Sequence, residues 1–344
     1  MQSPLIGSAA PAAPTPAPAS YPRLVADIGG TNARFAWVER PGAAPRHVQK
    51  LSVPDYPAPA EAMRAYLAGL AAELGESYRP PRHAAMAVAT AVVDDRVAFT
   101  NSHWAFSRQG LQAALALDGL QVLNDFEALA LALPHLGAAQ LRAHAALPAA
   151  RGTLAVIGPG TGLGVAGVVQ TPRGWLALPG EGGHSTLAPG DDFESELLRV
   201  VRQEFAHVSA ERLLSGIGLP VLHRAVARVL GAPVDAPWPA EQVMERGLAR
   251  SDAAASRALD AFCSLLGGFA GSVALVLGAR GGVYIGGGIV PRMEERFFAS
   301  AFRERFEAKG RFRAYLEAIP TALITDTLVA LTGAAAAIEQ QVGE

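Results

Sequence analysis

Short apolar runs that stop at glycine, set among longer segments of helical period, organise this chain. Leu24-Val25-Ala26, Leu154-Ala155-Val156-Ile157 and Val283-Tyr284-Ile285 each run into a glycine turn, the pattern of buried strands ended by tight turns. Strands are predicted over residues 24–28, 33–39, 47–52, 84–90, 96–100 and 120–123, and helices over 59–75, 107–116 and 126–133. Val93-Asp94-Asp95-Arg96 reads as a hairpin turn between the two runs that flank it. Past residue 150 a second glycine-rich hairpin, continuing over 165–170, leads into helices predicted over 190–206, 210–230, 239–248 and 252–278. A strand over 282–285 and helices over 291–308 and 327–340 complete the chain. Parallel and antiparallel strands mixed with helices predict α/β halves flanking a cleft.

The first turn, Asp27-Ile28-Gly29-Gly30-Thr31-Asn32-Ala33-Arg34, has the chemistry of a phosphate loop. Adjacent glycines let backbone N–H groups approach oxygens with no Cβ in the way, Thr31 adds a hydroxyl donor, and Asp27 at the strand end can hold Mg²⁺ through water. A single Gly-Gly-Thr is equally well an ordinary hairpin loop. Repetition favours the nucleotide, because Gly158-Pro159-Gly160-Thr161-Gly162-Leu163-Gly164 and Gly286-Gly287-Gly288 follow strands in the same way. Strand, Gly/Thr turn and second strand occur twice, as in a duplicated hairpin that sets two phosphate turns across a cleft.

Lysine usage excludes the commoner ways of holding ATP. The 29 basic residues include only Lys50 and Lys309 as lysines, and neither completes a Gly-x-x-x-x-Gly-Lys-Ser/Thr loop or a kinase-type strand lysine. Gly158-Pro159-Gly160-Thr161-Gly162 is followed by a strand-like run rather than a helix, which argues against a dinucleotide fingerprint. Phosphate must then be held by backbone amides, hydroxyls and metal.

Residues 1–20 are mostly Ala, Pro and Ser, without positive charge or a signal-like apolar run, and read as a disordered tail. The rest is long enough for two domains, and a composition 50% apolar and 17% charged supports a large core. A net charge of −2 offers no case for nucleic acid or an anionic membrane. A lone Cys263 excludes an intramolecular disulfide and suits a helix core. The longest apolar stretch, 269–277, is too short to span a bilayer. The expectation is a soluble, cytoplasmic protein.

Two polar clusters stand out. Asn124-Asp125-Phe126-Glu127 opens a helix just after the strand 120–123. Asn and Asp there are ordinary helix caps, yet a carboxylate at a strand end in a cleft is also what a proton acceptor for an attacking hydroxyl requires. Leu178-Pro179-Gly180-Glu181-Gly182-Gly183-His184 surrounds a carboxylate and an imidazole with glycines that let the loop fold back. Such residues are commonly solvated surface, and no Cys or second nearby His completes a metal site. As a pair they suit vicinal hydroxyls, which a carboxylate accepts from and an imidazole can both accept from and donate to. Glu211, at the start of the helix predicted over 210–230, is a third candidate, or simply an acidic first-turn residue.

Seven blocks in order resemble the bacterial glucokinase family of the hexokinase and actin-like ATPase superfamily. They are Asp27 to Arg34 as quoted, Thr100-Asn101-Ser102-His103-Trp104-Ala105-Phe106-Ser107, Asn124-Asp125-Phe126, Gly160-Thr161-Gly162-Leu163-Gly164-Val165, Leu178 to His184 as quoted, His207-Val208-Ser209-Ala210-Glu211-Arg212-Leu213-Leu214-Ser215-Gly216, and Gly286-Gly287-Gly288-Ile289-Val290-Pro291-Arg292. The resemblance implies a two-domain actin-like ATPase (ribonuclease H-like) α/β fold: a small domain over 21–135 closed by 326–344, a large domain over 136–325, and ATP with sugar in the cleft between them. It implies ATP- and Mg²⁺-dependent phosphorylation of glucose at the 6-hydroxyl, with Asp125 as general base and Asn101, Asn124, Glu181, His184 and Glu211 on sugar hydroxyls. Ala26, Asp27, Ile28, Gly29, Gly30 and Thr31, with Gly158, Gly160, Thr161 and Gly162, match the phosphate loops, and Gly286, Gly287 and Gly288 the adenosine side. A homodimer without nucleic-acid or membrane partners is also implied. Thr90-Ala91 departs from the family, which has a proline-containing step there.

Two rivals remain at this point. A kinase of the repressor/open-reading-frame/kinase group acting on another hexose usually carries a Cys-rich zinc loop that a chain with one cysteine cannot build, and a repressor of that group needs an N-terminal helix-turn-helix. A non-sugar actin-like ATPase has no use for Asn124-Asp125 together with Gly180-Glu181-Gly182-Gly183-His184.

Overall fold

Two sheets of the same plan carry the fold in this computed structural model, which describes residues 21–99, 101–233 and 237–342. The tail expected over 1–20 and Thr100 of the second quoted block lie outside the described residues. The strands are β1 (Arg23–Ile28), β2 (Asn32–Val38), β3 (Arg46–Ser52), β4 (His83–Val88), β5 (Arg96–Ala98), β6 (Ala105–Ser107), β7 (Gly119–Asn124), β8 (Leu141–Ala143), β9 (Thr153–Pro159), β10 (Leu163–Thr171), β11 (Gly174–Gly180), β12 (Gly282–Ile285) and β13 (Thr321–Ile324). The helices are α1 (Pro59–Leu74), α2 (Arg108–Ala114), α3 (Asp125–Ala132), α4 (Asp192–Val201), α5 (Leu219–Val229), α6 (Ala240–Leu248), α7 (Ala253–Leu277), α8 (Glu295–Phe298), α9 (Phe302–Glu307), α10 (Arg313–Glu317) and α11 (Val329–Val342).

The first sheet has the order β3-β2-β1-β4-β7 and the second β11-β10-β9-β12-β13-β8. In each, an antiparallel three-stranded meander is followed by two strands parallel to its first member. The duplication read in the two hairpins thus extends through five strands of each sheet, and β8, antiparallel to β13, is an addition to the second. The central strands β1, β4, β9 and β12 are buried almost throughout, because helices cover both faces and leave no polar alternation. One core lies between the first sheet and α1, a second between the second sheet and the helices α4 to α10. The third lies between the sheets and joins Val25, Ala85 and Leu123 of one to Val156, Ala166 and Tyr284 of the other through α3 and α11. These two helices cross so closely that a Cβ on Gly333 would overlap the Ala128 carbonyl, an approach only glycine permits.

Several sequence expectations are corrected. The run 96–100 does not form a hairpin with the preceding strand, since β4 is already paired on both edges and β5 pairs with β6 instead. The helix expected over 210–230 begins only at Leu219; residues 207–218 are turns, because Gly218 lies against the Arg212 carbonyl and Gly216 against that of Gly160, where a side chain would crowd. The helix expected over 291–308 is broken into a single 3₁₀ turn, α8 and α9, with Glu294 at φ +45°. The apolar segment judged too short for a bilayer belongs to a 25-residue helix, α7. That helix is long and apolar enough to cross a membrane, but it is the spine of the second core, where Cys263 is fully buried. It starts at an Asp252 side chain accepting from Ala255 N at 2.7 Å and ends at left-handed Gly278, both ordinary helix ends.

Candidate active site

The parallel register places the C-terminal ends of β1, β4 and β7 side by side, with Ile28 opposite Val88 and Val88 opposite Asn124. The Gly29-Gly30 turn, the loop after β4 and Asp125 therefore leave the sheet at one edge, where ligands of parallel α/β sheets bind. Asn124 ends β7 and caps α3, its side-chain oxygen accepting from Phe126 N at 2.9 Å while its Nδ2 donates to Thr90 O at 3.1 Å. The cap expected here is made by Asn124, which leaves Asp125 as the first helical residue with its Oδ1 3.0 Å from Phe126 N.

Burial pushes the Asp125 carboxyl up to about 6. The Phe126 N–H lowers it, and the neighbouring Asp27 carboxylate raises it further. Asp27 is itself raised, by burial first, against an ion pair with Arg34 at 2.9 Å that lowers it. Two carboxylates that feel each other at a desolvated strand edge are candidates for acid–base work.

The glycines of the turns differ in what they are for. At Gly29 an added Cβ would meet only Asn32 O at 3.7 Å, and at Gly160 nothing within 4 Å, with neither in a left-handed conformation. The protein leaves open space above both. Gly30 lies against Asn101, Gly162 against the Glu211 carboxylate, Gly158 and Gly164 against the Phe126 ring, and Gly287, at φ +77°, against the Pro159 carbonyl. Ile289 N donates to the same carbonyl at 3.2 Å, so the second and third glycine turns form one continuous surface. Gly286 packs on Leu129 of α3, while Gly288 is unobstructed.

A second cluster forms at the start of β10. Glu181 follows β11 and bridges Val165 through its backbone. Gly183 lies against Leu163 O, so that only a glycine fits. Glu211 N donates to Gly183 O at 2.9 Å, and the Glu211 Oε2 accepts from Leu163 N at 2.9 Å. His184 Nδ1 stands 3.9 Å from the other Glu211 oxygen, with the imidazole 62% exposed. Glu181, His184 and Glu211 are thus brought together on one rim, whereas Asn101, Asn124 and Asp125 belong to the edge of the first sheet. Glu211 takes its place from a turn rather than from the helix start expected of it.

Phe126 is a residue of this region to which the sequence pattern alone assigns no role. In the sequence it is only the third member of Asn124-Asp125-Phe126. Among the described residues no cluster of three or more His, Cys, Asp or Glu side chains could enclose a metal. A Mg²⁺ here would draw most of its ligands from phosphate and water around a single carboxylate, the usual manner for this ion. Asp27, one residue before the end of β1 and paired with Arg34 at 2.9 Å, is the carboxylate beside the Gly29-Gly30 turn.

The sequence model of the family Glucokinase matches residues 24–341. A glucokinase from Chromobacterium violaceum is 49% identical over 93% of this chain and 90% of its own length. A crystal structure of a glucokinase from an Antarctic psychrotroph superposes with a TM-score of 0.86 at 37% identity, covering 92% of this chain and 98% of the other. A ROK family glucokinase from Streptomyces griseus, solved with glucose and AMPPNP, shares the fold with a TM-score of 0.61 at 19% identity, over 93% of this chain and 100% of its own.

Proposed function

This chain belongs to the glucokinase family, and from that premise we propose how its residues perform the transfer. The protein phosphorylates D-glucose with ATP, giving glucose 6-phosphate and ADP. Asp125 accepts the 6-hydroxyl proton as that oxygen attacks the γ-phosphorus in line; the new O–P bond forms as the bond to the β,γ-bridging oxygen breaks, and ADP leaves. Apart from Gly29 N and Gly160 N, which donate within their own turns to Asn32 O at 2.9 Å and Gly162 O at 2.8 Å, the backbone amides of the turns at Gly29-Gly30-Thr31 and Gly160-Thr161-Gly162 cradle the phosphates, with Gly286, Gly287 and Gly288 on the adenosine side. Mg²⁺, held through water by Asp27, would offset charge on the transferring group. Asn101, Asn124, Glu181, His184 and Glu211 grip sugar hydroxyls and fix the 6-hydroxyl over Asp125.

The observation that carries this reading is the Asp125 carboxyl, raised to about 6 by burial at the strand edge shared with an open Gly29 turn. A carboxyl of that pKa is largely ionised at neutral pH and still basic enough to take a proton in the transition state. With the same reading go two lobes, 21–135 with 326–344 and 136–325, a homodimer and a cytoplasmic location. A coupled assay with Mg²⁺-ATP across a panel of hexoses tests it. Turnover on glucose exceeding that on other hexoses supports the assignment. A different preferred hexose points to another sugar kinase, and ATP hydrolysis indifferent to sugar points to a non-sugar ATPase.

A further inference from the structure

We propose that Phe126 is a positioning residue that ties the proton acceptor to the nucleotide hairpin. This rests on the reading above, in which Asp125 is the base and the β9–β10 turn holds ATP.

Phe126 follows Asp125 in the first turn of α3, and its N–H is shared between the Asn124 side chain at 2.9 Å and the Asp125 carboxyl at 3.0 Å. The peptide that carries the ring therefore also holds the carboxylate. The ring itself crosses to the second sheet, where Gly158 and Gly164 are direct partners in the β9–β10 ladder. A Cβ on either would overlap ring atoms of Phe126. One side chain thus fills a seat made by two glycines on neighbouring strands, one residue pair in from the 160–162 turn.

Paired glycines inside a ladder weaken a sheet and mark a place where something approaches closely. Here the visitor is the residue next to the base. The far side of the seat is closed by the third glycine turn, since a Cβ on Gly158 would stand 3.4 Å from Gly287 N. Phosphate turn, adenosine-side turn and Asp125 are therefore linked through one rigid ring, with no flexible side chain between them. On the sugar side, Glu211 bonds Leu163 N of the same hairpin. The hairpin is held from both directions, and Phe126 is its connection to the base.

The test uses the full chain with Phe126→Leu, Gly164→Ala and the double variant. Phe126→Leu empties part of the seat, and misplacing the base lowers kcat by about 10- to 100-fold, while glucose and ATP affinities stay within about threefold in calorimetry. Gly164→Ala displaces the native ring and lowers kcat similarly. In the double variant the added methyl occupies the room the smaller side chain leaves, so kcat recovers to well above either single variant. A structural role alone predicts a lower Tm with unchanged kcat at 25 °C, and that result overturns the proposal, as does a double variant whose loss is the product of the two single losses. Should Phe126→Leu fail to fold, Phe126→Met is read by the same criteria. A native chain inactive on glucose, or a fully active Asp125→Asn variant, sinks the underlying assignment instead. Native activity with Asp125→Asn inactive and Phe126→Leu unimpaired sinks this inference alone.

Discussion

Replacing Asp125 by Asn separates catalysis from folding in opposite directions. The amide keeps the oxygen that accepts from Phe126 N but cannot take a proton, so kcat falls by about 10²- to 10⁴-fold. The same change stabilises the fold. Because burial raises the carboxyl from 3.8 to about 6, the folded state binds this proton more tightly than the unfolded chain does. Its favourable contribution is complete below about pH 4 and is lost as pH rises through about 6. Above that range the buried ion costs about 3 kcal/mol, at 1.36 kcal/mol per pH unit. Asn removes that cost. Calorimetric Tm at pH 8 should therefore rise by about 4 °C for a chain of this size, with the gain shrinking toward nothing near pH 4. Native kcat/KM should also fall as pH drops below about 6, where the base becomes protonated. An Asn variant with near-native kcat removes Asp125 from the chemistry, and one whose Tm at pH 8 equals that of the native chain refutes the desolvated carboxylate.

Gly29→Ala and Gly160→Ala put a methyl where the protein leaves room, so Tm should move by no more than about 2 °C while calorimetry shows ATP binding weakened and glucose binding intact; unchanged ATP affinity in both makes these turns ordinary loops. Glu181→Ala and His184→Ala should each weaken glucose by about 1 to 3 kcal/mol, the cost of leaving an enclosed sugar hydroxyl without its partner, at constant ATP affinity; equal losses for both substrates assign the pair to the fold. Small-angle scattering should show a smaller radius of gyration with glucose than without, as lobes closing on a sugar exclude water; no compaction counts against closure.

Much of this architecture is legible in the sequence because it is local. Strand, Gly/Thr turn and strand show in a few consecutive residues, and Asn124-Asp125 stands at the junction of an apolar run and a helix. What escaped depends on distant contacts. The strands β8 and β13 are runs of three and four residues, and β11 begins and ends in glycine with Pro179 inside it, so all three are recognisable only by the neighbours they pair with. The turns at 207–218 carry a helical pattern, which is overridden because the chain must pass the Gly160 carbonyl at Gly216. Glycines illustrate the limit best. Gly29 and Gly160 face open space, whereas Gly158 and Gly164 face an aromatic ring from helix α3, and nothing in the letters Gly-Pro-Gly-Thr-Gly-Leu-Gly tells these uses apart. The role of Phe126 was hidden for the same reason, since its seat lies 32 and 38 positions further along the chain.

The central claim is transfer of the γ-phosphoryl group of ATP to the 6-oxygen of glucose, and ³¹P NMR of the reaction mixture reads that product directly. With purified chain, Mg²⁺-ATP and glucose, the resonance of a sugar 6-phosphate should grow in step with ADP, and 6-deoxyglucose should give no sugar phosphate. ADP accompanied only by inorganic phosphate, or a phosphate ester formed equally well on 6-deoxyglucose, contradicts the account.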